Sequence, residues 1–152
     1  MTEVIYRETT EADLAFVASR MRTADRLEVY RATGRGAHQA LMGSVEDSSQ
    51  AFTVVIDGEP VAVFGFAFQG GIAAEIWMLG TDALRKHPRT VLVEGRRIVD
   101  AWGDYFALQH NYVDVHNKTA IRWLKMLGFR FDERPVMRNG HPFLYFWRHG
   151  NV

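Results

Sequence analysis

The hydrophobic period of the chain changes at residue 50, and that change limits the possible folds more than any other feature. The runs QAFTVVID (50–57) and EPVAVFGFAF (59–68) alternate with a period of two and meet at Asp57-Gly58. That dipeptide suits a two-residue hairpin turn, whose central positions need positive φ. Gly70-Gly71 then leads into a third alternating run, IAAEIWMLGT (72–81), so residues 50–81 read as a three-strand meander.

The flanking segments are of another kind. EVIYRE (3–8) reads as a first strand, and Thr9 or Thr10 offers a cap for EADLAFVASRM, where Leu14, Val17, Ala18 and Met21 fall at helical spacing. A second helix is expected from near Asp25 until the glycines of ATGRG (32–36) interrupt it, and a short third helix over 37–48. Beyond the meander, a polar loop DALRKHPR (82–89) precedes TVLVEGRRIVDAWGDYF (90–106), with Val91, Gly95, Ile98, Trp102 and Phe106 along one side of a crossover helix. LQHNYVDV (108–115) is a strand, NKTAIRWLKML (117–127) a helix, and residues 128–148 a hairpin turning at Asn139-Gly140. Helices between neighbouring strands of the second half require at least one parallel pairing in an otherwise antiparallel sheet.

Composition excludes several classes. At 152 residues the chain fits one domain, 1–152, and 47% hydrophobic with 24% charged residues supports a packed core. Eighteen basic and eighteen acidic side chains cancel, against a protein that coats nucleic acid or an anionic membrane. The absence of cysteine removes disulfides and thiolate catalysis and suits a reducing cytoplasm. MTEVIYRETTEADL lacks the pattern of a signal peptide, and VAVFGFAF (61–68) is far short of the roughly 20 apolar residues that cross a bilayer. TGRGA (33–37) lacks the strand and lysine of a P-loop, and the histidines make no metal-binding spacing.

Asn117, Ala120, Gly128 and Phe129 mark an Asn at a helix start, an Ala three residues on and a Gly-Phe exit. With the element order, this spacing resembles the GNAT superfamily of acyl-CoA-dependent N-acyltransferases. The resemblance implies an α+β, three-layer fold: a mixed, mostly antiparallel sheet of about seven strands with helices on both faces. It also implies two sites at which this chain departs from the pattern. Leu124 stands where active members carry the tyrosine that reprotonates the departing thiolate, and leucine cannot donate a proton. In the window RKHPRT, Arg85 fits the family's pyrophosphate loop, but Pro88 and Thr90 replace small residues, and proline removes a donor. Arg85, Lys86 and Arg89 can still attract phosphate. The segments ADRLEVYRATGRGAHQALMGSVEDS, DGEPVAVFGFAF, IWMLGTDALRKHPR and NYVDVHNKTAIRWLKMLGFRF further resemble the GNAT-like proteins of tailed bacteriophages, including an internal virion protein.

Two functional expectations follow. The first is a non-enzymatic phage virion or assembly component with a degenerate acyl-CoA site and no cofactor. It would reside in host cytoplasm and virion, and its partners would be portal, tail or internal proteins and further copies of itself. FLYFW (143–147), apolar on both faces, fits such a need for cover. The alternative is an acetyl-CoA-dependent N-acetyltransferase. Glu75, on the strand where such enzymes place a general base and beside Trp77, would deprotonate the amine, and Tyr112 would protonate the thiolate. Arg85, Arg89, Thr90 and Asn117 would hold the cofactor, Asn117 doubling as a helix cap. His110, Tyr112, Asp114 and His116 alternate onto one face of strand 108–115 as extended to 116, a clustering that points to a cleft or interface.

Overall fold

A computed structural model describes residues 2–152. Eight strands form one sheet in the order β1-β2-β3-β4-β5-β8-β6, with β7 also paired to β8. They are β1 (Val4–Glu8), β2 (Gln50–Ile56), β3 (Glu59–Phe68), β4 (Ala73–Gly80), β5 (Leu108–Asp114), β6 (Arg130–Phe131), β7 (Val136–Arg138) and β8 (His141–His149). The meander and both hairpin turns lie where the glycine dipeptides place them. Asp57 and Gly58 have φ of 49° and 83°, and Asn139 and Gly140 have 51° and 79°, the left-handed values of a turn whose twist matches the strands it joins. The sheet has one strand more than expected because the terminal hairpin carries two short strands, β6 and β7, on one edge of β8.

The helices are α1 (Glu11–Ser19), α2 (Thr23–Thr33), α3 (Ala37–Asp47), α4 (Pro88–Trp102) and α5 (Lys118–Met126). Thr10 caps α1 through a reciprocal capping box with Asp13. The first three helices cover one sheet face, where Leu14, Val17, Met21 and Leu41 pack on Val63 and Leu79. The last two cover the other, where Val99, Leu124 and Leu127 pack on Ile76, Val113 and Phe146. α4 ends at Trp102, four residues before the expected limit. Gly103 and the turn that follows break the helix, and Phe106 is buried from outside it against Phe66, ring centroids 5.0 Å apart. The final strand is covered within the chain on its Phe146 side. Tyr145 and Trp147, on the other side, stack on each other and stay half-buried.

Among the described residues, only β4 and β5 run parallel. Their pairing lasts for three rungs, Ala73↔Leu108, Ala74↔Gln109 and Glu75↔His110, and then stops. From Ile76 onward the two strands separate, while β4 stays fully paired to β3 and β5 to β8. The sheet therefore opens as a fork in its middle.

Candidate active site

The fork sets the chemistry of the main chain. Thr81 N–H bonds back to Val61 on β3, so by the period-two rule the groups of Ile76, Met78 and Gly80 point the other way, into the gap. Two of the three are engaged. The Ile76 carbonyl accepts from Asn111 Nδ2 at 2.7 Å, and Gly80 N–H donates to Asp25 Oδ2 at 3.0 Å. Met78, between them, presents its N–H and carbonyl to the gap.

Helix α2 closes the fork on the face of α1 to α3, and it does so with charge. Asp25, Glu28 and Arg31 recur every three residues, one turn apart on one face. Asp25 is buried, held by Arg22 at 2.9 Å. Glu28 Oε1 accepts from Asp114 N–H at 2.9 Å, and the Asn117 amide donates to Asp25 at 3.2 Å and to Glu28 at 3.3 Å. Arg31 pairs with the buried carboxylate of Asp114 at 2.6 Å. This arrangement separates three carboxyl groups electrostatically. Burial pushes Glu28 up from 4.5 to about 7, outweighing its hydrogen bonds, with the neighbouring Asp25 charge adding to the rise. Burial also raises Asp25. Burial acts upward on Asp114 too, but the His116 main-chain N–H and the Arg31 guanidinium outweigh it and hold that carboxyl below its usual range.

A cavity of about 990 Å³ passes through the fork. Glu28, Asn117 and Tyr112 line it on the α2 side, Met78 in the gap, and Arg89 and Thr90 at the start of α4. Arg138 lies over the Tyr112 ring, 4.4 Å from its centroid.

The expected site residues separate on this geometry. Tyr112, Asn117, Arg85, Arg89 and Thr90 all line the cavity. Asn117 is buried; its Oδ1 caps α5 at Ala120 N–H while its amide serves the acidic pair. Glu75 does not line the cavity. It sits on the last rung before the fork, bonded to Gln69, whose carbonyl oxygen is 2.6 Å from His110 Nε2. His110, Tyr112 and Asp114 share a face, but β5 ends at Asp114. His116 lies beyond the strand and folds back onto the Asp114 carboxylate.

Pro88 is the first residue of α4, where the helix itself loses no hydrogen bond by a missing N–H, but that N–H is one of the free donors a phosphate would use, so one donor is absent as expected. Val91 N–H already bonds His87, no side chain caps the helix, and the second and third residues, Arg89 and Thr90, carry the open N–H groups. Leu124, by contrast, is core, packed with Val99, Val113 and Leu127.

Glu28 and Asp25 were not singled out from the sequence. The available signal is that α2 buries Asp25 and turns Glu28 toward the cavity while Leu27 and Tyr30 face solvent, an inversion of the usual helix pattern.

No family model matches the chain, and no curated protein matches it by sequence. Solved structures do. AAC(6')-Ib in complex with ribostamycin and coenzyme A is 16% identical and aligns over 96% of this chain and 93% of its own with a TM-score of 0.69. Ard1 from Thermoplasma volcanium is 14% identical over 98% and 99%, TM-score 0.68. Spermidine N-acetyltransferase from Vibrio cholerae, with coenzyme A and spermine, is 11% identical over 97% and 95%, TM-score 0.66. The fold is that of the GNAT N-acyltransferases. The expectation of a non-enzymatic virion component is overturned here. AAC(6')-Ib, an aminoglycoside acetyltransferase, and the spermidine N-acetyltransferase are both seen with coenzyme A, and nothing in these matches points to a phage structural role.

Proposed function

We propose that this chain is an acyl-CoA-dependent N-acyltransferase, of which acetyl-CoA is the simplest donor. The observation that carries the reading is Glu28: a carboxyl with a pKa of about 7, lining a cavity that passes through a strand fork. The residues present fit a coenzyme A thioester. The open N–H groups of Arg89 and Thr90, with the Arg85 and Arg89 guanidinium groups, suit a pyrophosphate, and the Met78 N–H suits a polarised carbonyl.

When bound, the thioester supplies an activated acyl group. The chain's own residues do the rest. Glu28, half-ionised near neutrality, takes a proton from an ammonium acceptor on the α2 side, so that the free amine can attack. Met78 N–H faces the oxygen on which charge develops. Tyr112, the cavity-lining phenol nearest in role to the missing tyrosine, gives its proton to the departing thiolate. Asn117 fixes the Glu28 carboxylate and so sets the approach of the amine.

The test is release of free thiol from acetyl-CoA with a panel of primary amines, alongside calorimetric titration of acetyl-CoA and coenzyme A. Saturable binding with amine-dependent thiol release supports the reading. A chain that binds neither ligand at millimolar concentration overturns it.

A further inference from the structure

Among the described residues, the charges on the α2 side of the fork cancel in pairs, with two exceptions. Arg22 holds Asp25 at 2.9 Å, and Arg31 holds Asp114 at 2.6 Å, with His116 on the other oxygen of that carboxylate. Glu28 is the acid left over. Its partners are the Asp114 main-chain N–H and the Asn117 amide, neither of which carries a charge. Arg138 is the cation left over. It pairs with no carboxylate among the described residues, and its contact is the ring of Tyr112, 4.4 Å from the centroid.

The two unmatched charges line one cavity, and β5 brings them close. Glu28 bonds the N–H of Asp114, while Arg138 lies over Tyr112, two residues earlier on the strand, a step of about 7 Å. The hairpin that carries Arg138 is also tied to α2, because Asn139 Nδ2 donates to the Arg31 carbonyl at 3.2 Å. A guanidinium held over an aromatic face keeps its edge N–H groups for other partners, and that edge is a fork matched to a carboxylate. Arg138 is exposed and Glu28 half-buried, so the cation stands at the entrance and the acid further in.

We infer that the acceptor is a small amino acid, its ammonium at Glu28 and its carboxylate at Arg138, which makes Arg138 the residue that selects it. The inference rests on the transferase reading and specifies its acceptor. A simple amine leaves Arg138 without an anion, and a diamine brings a like charge against it. The balance is that of the transfer step. An N–C bond forms, the thioester C–S bond breaks, the ammonium gives up two protons and the thiolate takes one, leaving an N-acyl amino acid, a free thiol and one proton.

The test is thiol release from acetyl-CoA by the full chain with leucine, phenylalanine and lysine, each set against the amine or diamine that lacks its carboxylate. The ratio of kcat/KM should favour the amino acid at least about tenfold, the value of one charge-assisted pair, and most for lysine, whose counterpart is a dication. Arg138→Gln should bring each ratio to within about threefold of one, through a higher KM for the amino acids. Amines that react as well as the amino acids overturn the assignment and leave the transferase reading standing, whereas no thiol release with any of the six overturns both. A full preference kept by Arg138→Gln overturns the role of Arg138. Should that variant fail to fold, the paired series on the unmodified protein decides alone.

Discussion

The Asn117 side chain reaches back 89 residues to donate to Glu28 at 3.3 Å, tying the start of α5 to the middle of α2 across the fork. The same residue caps its own helix, so one amide fixes both a helix end and the orientation of the candidate base.

Glu28→Gln should separate activity from stability. Its kcat should fall by about 10²–10⁴-fold, and the acid limb of the pH–rate profile, expected near 7, should vanish. Stability moves the other way. Because the folded pKa lies above the ordinary value, the native state holds this proton more tightly, and stability from Glu28 is present below about pH 4.5 and lost as pH rises to about 7. The variant, which keeps an acceptor for Asp114 N–H, should be more stable than the parent at pH 8, by up to about 2–3 kcal/mol, and closer to it at pH 5. Urea unfolding at the two pH values checks this.

Tyr112→Phe removes one oxygen and little else. The ring keeps its packing against Tyr145, 5.2 Å between centroids, and its place under Arg138. Stability should change by less than about 1 kcal/mol while kcat falls at least about tenfold. If the rate with a donor bearing a better thiol leaving group shows the same loss, the hydroxyl does not protonate the thiolate.

Arg89→Glu places a like charge beside the proposed pyrophosphate site. Coenzyme A should bind at least about tenfold more weakly at low salt, with the difference shrinking by 0.5 M salt as screening takes over. Titration of the folded variant at two ionic strengths measures both effects.

Gly95→Ala tests how closely α4 and α5 approach. A methyl there would lie 2.8 Å from Trp123 Cζ2 and 3.2 Å from Leu127. Alanine favours a helix over glycine by about 1 kcal/mol, but the clash should reverse the sign and destabilise by about 1–2 kcal/mol. Trp123→Leu in the same chain should recover most of that loss in chemical denaturation.

The fold was legible where local chemistry determines local shape. Asp57-Gly58 and Asn139-Gly140 each dictate a turn whatever surrounds them, and Asn117 is a cap by type and position. The candidate site was legible only in part. Arg85, Arg89, Thr90, Tyr112 and Asn117 reach the cavity, but Glu75, placed by analogy along its strand, falls one rung short of where the strands part. Glu28 was hidden for a physical reason. Helical periodicity treats a charge as a solvent-facing residue, and what makes this one an inward residue is a set of partners on β5 and α5, more than 80 positions away. Pro88 starts α4 where its ring fits the helix, so the residue that withholds one donor also opens the helix that presents the next two.

Asn111 is the residue at the crotch of the sheet. By handing a side-chain N–H to the Ile76 carbonyl, it substitutes for the next rung of the ladder and satisfies a main-chain acceptor that would otherwise draw the strands together. The opening is thus built in during folding. An incoming ligand meets a doorway already propped apart, and none of its binding energy goes to unzipping β4 from β5.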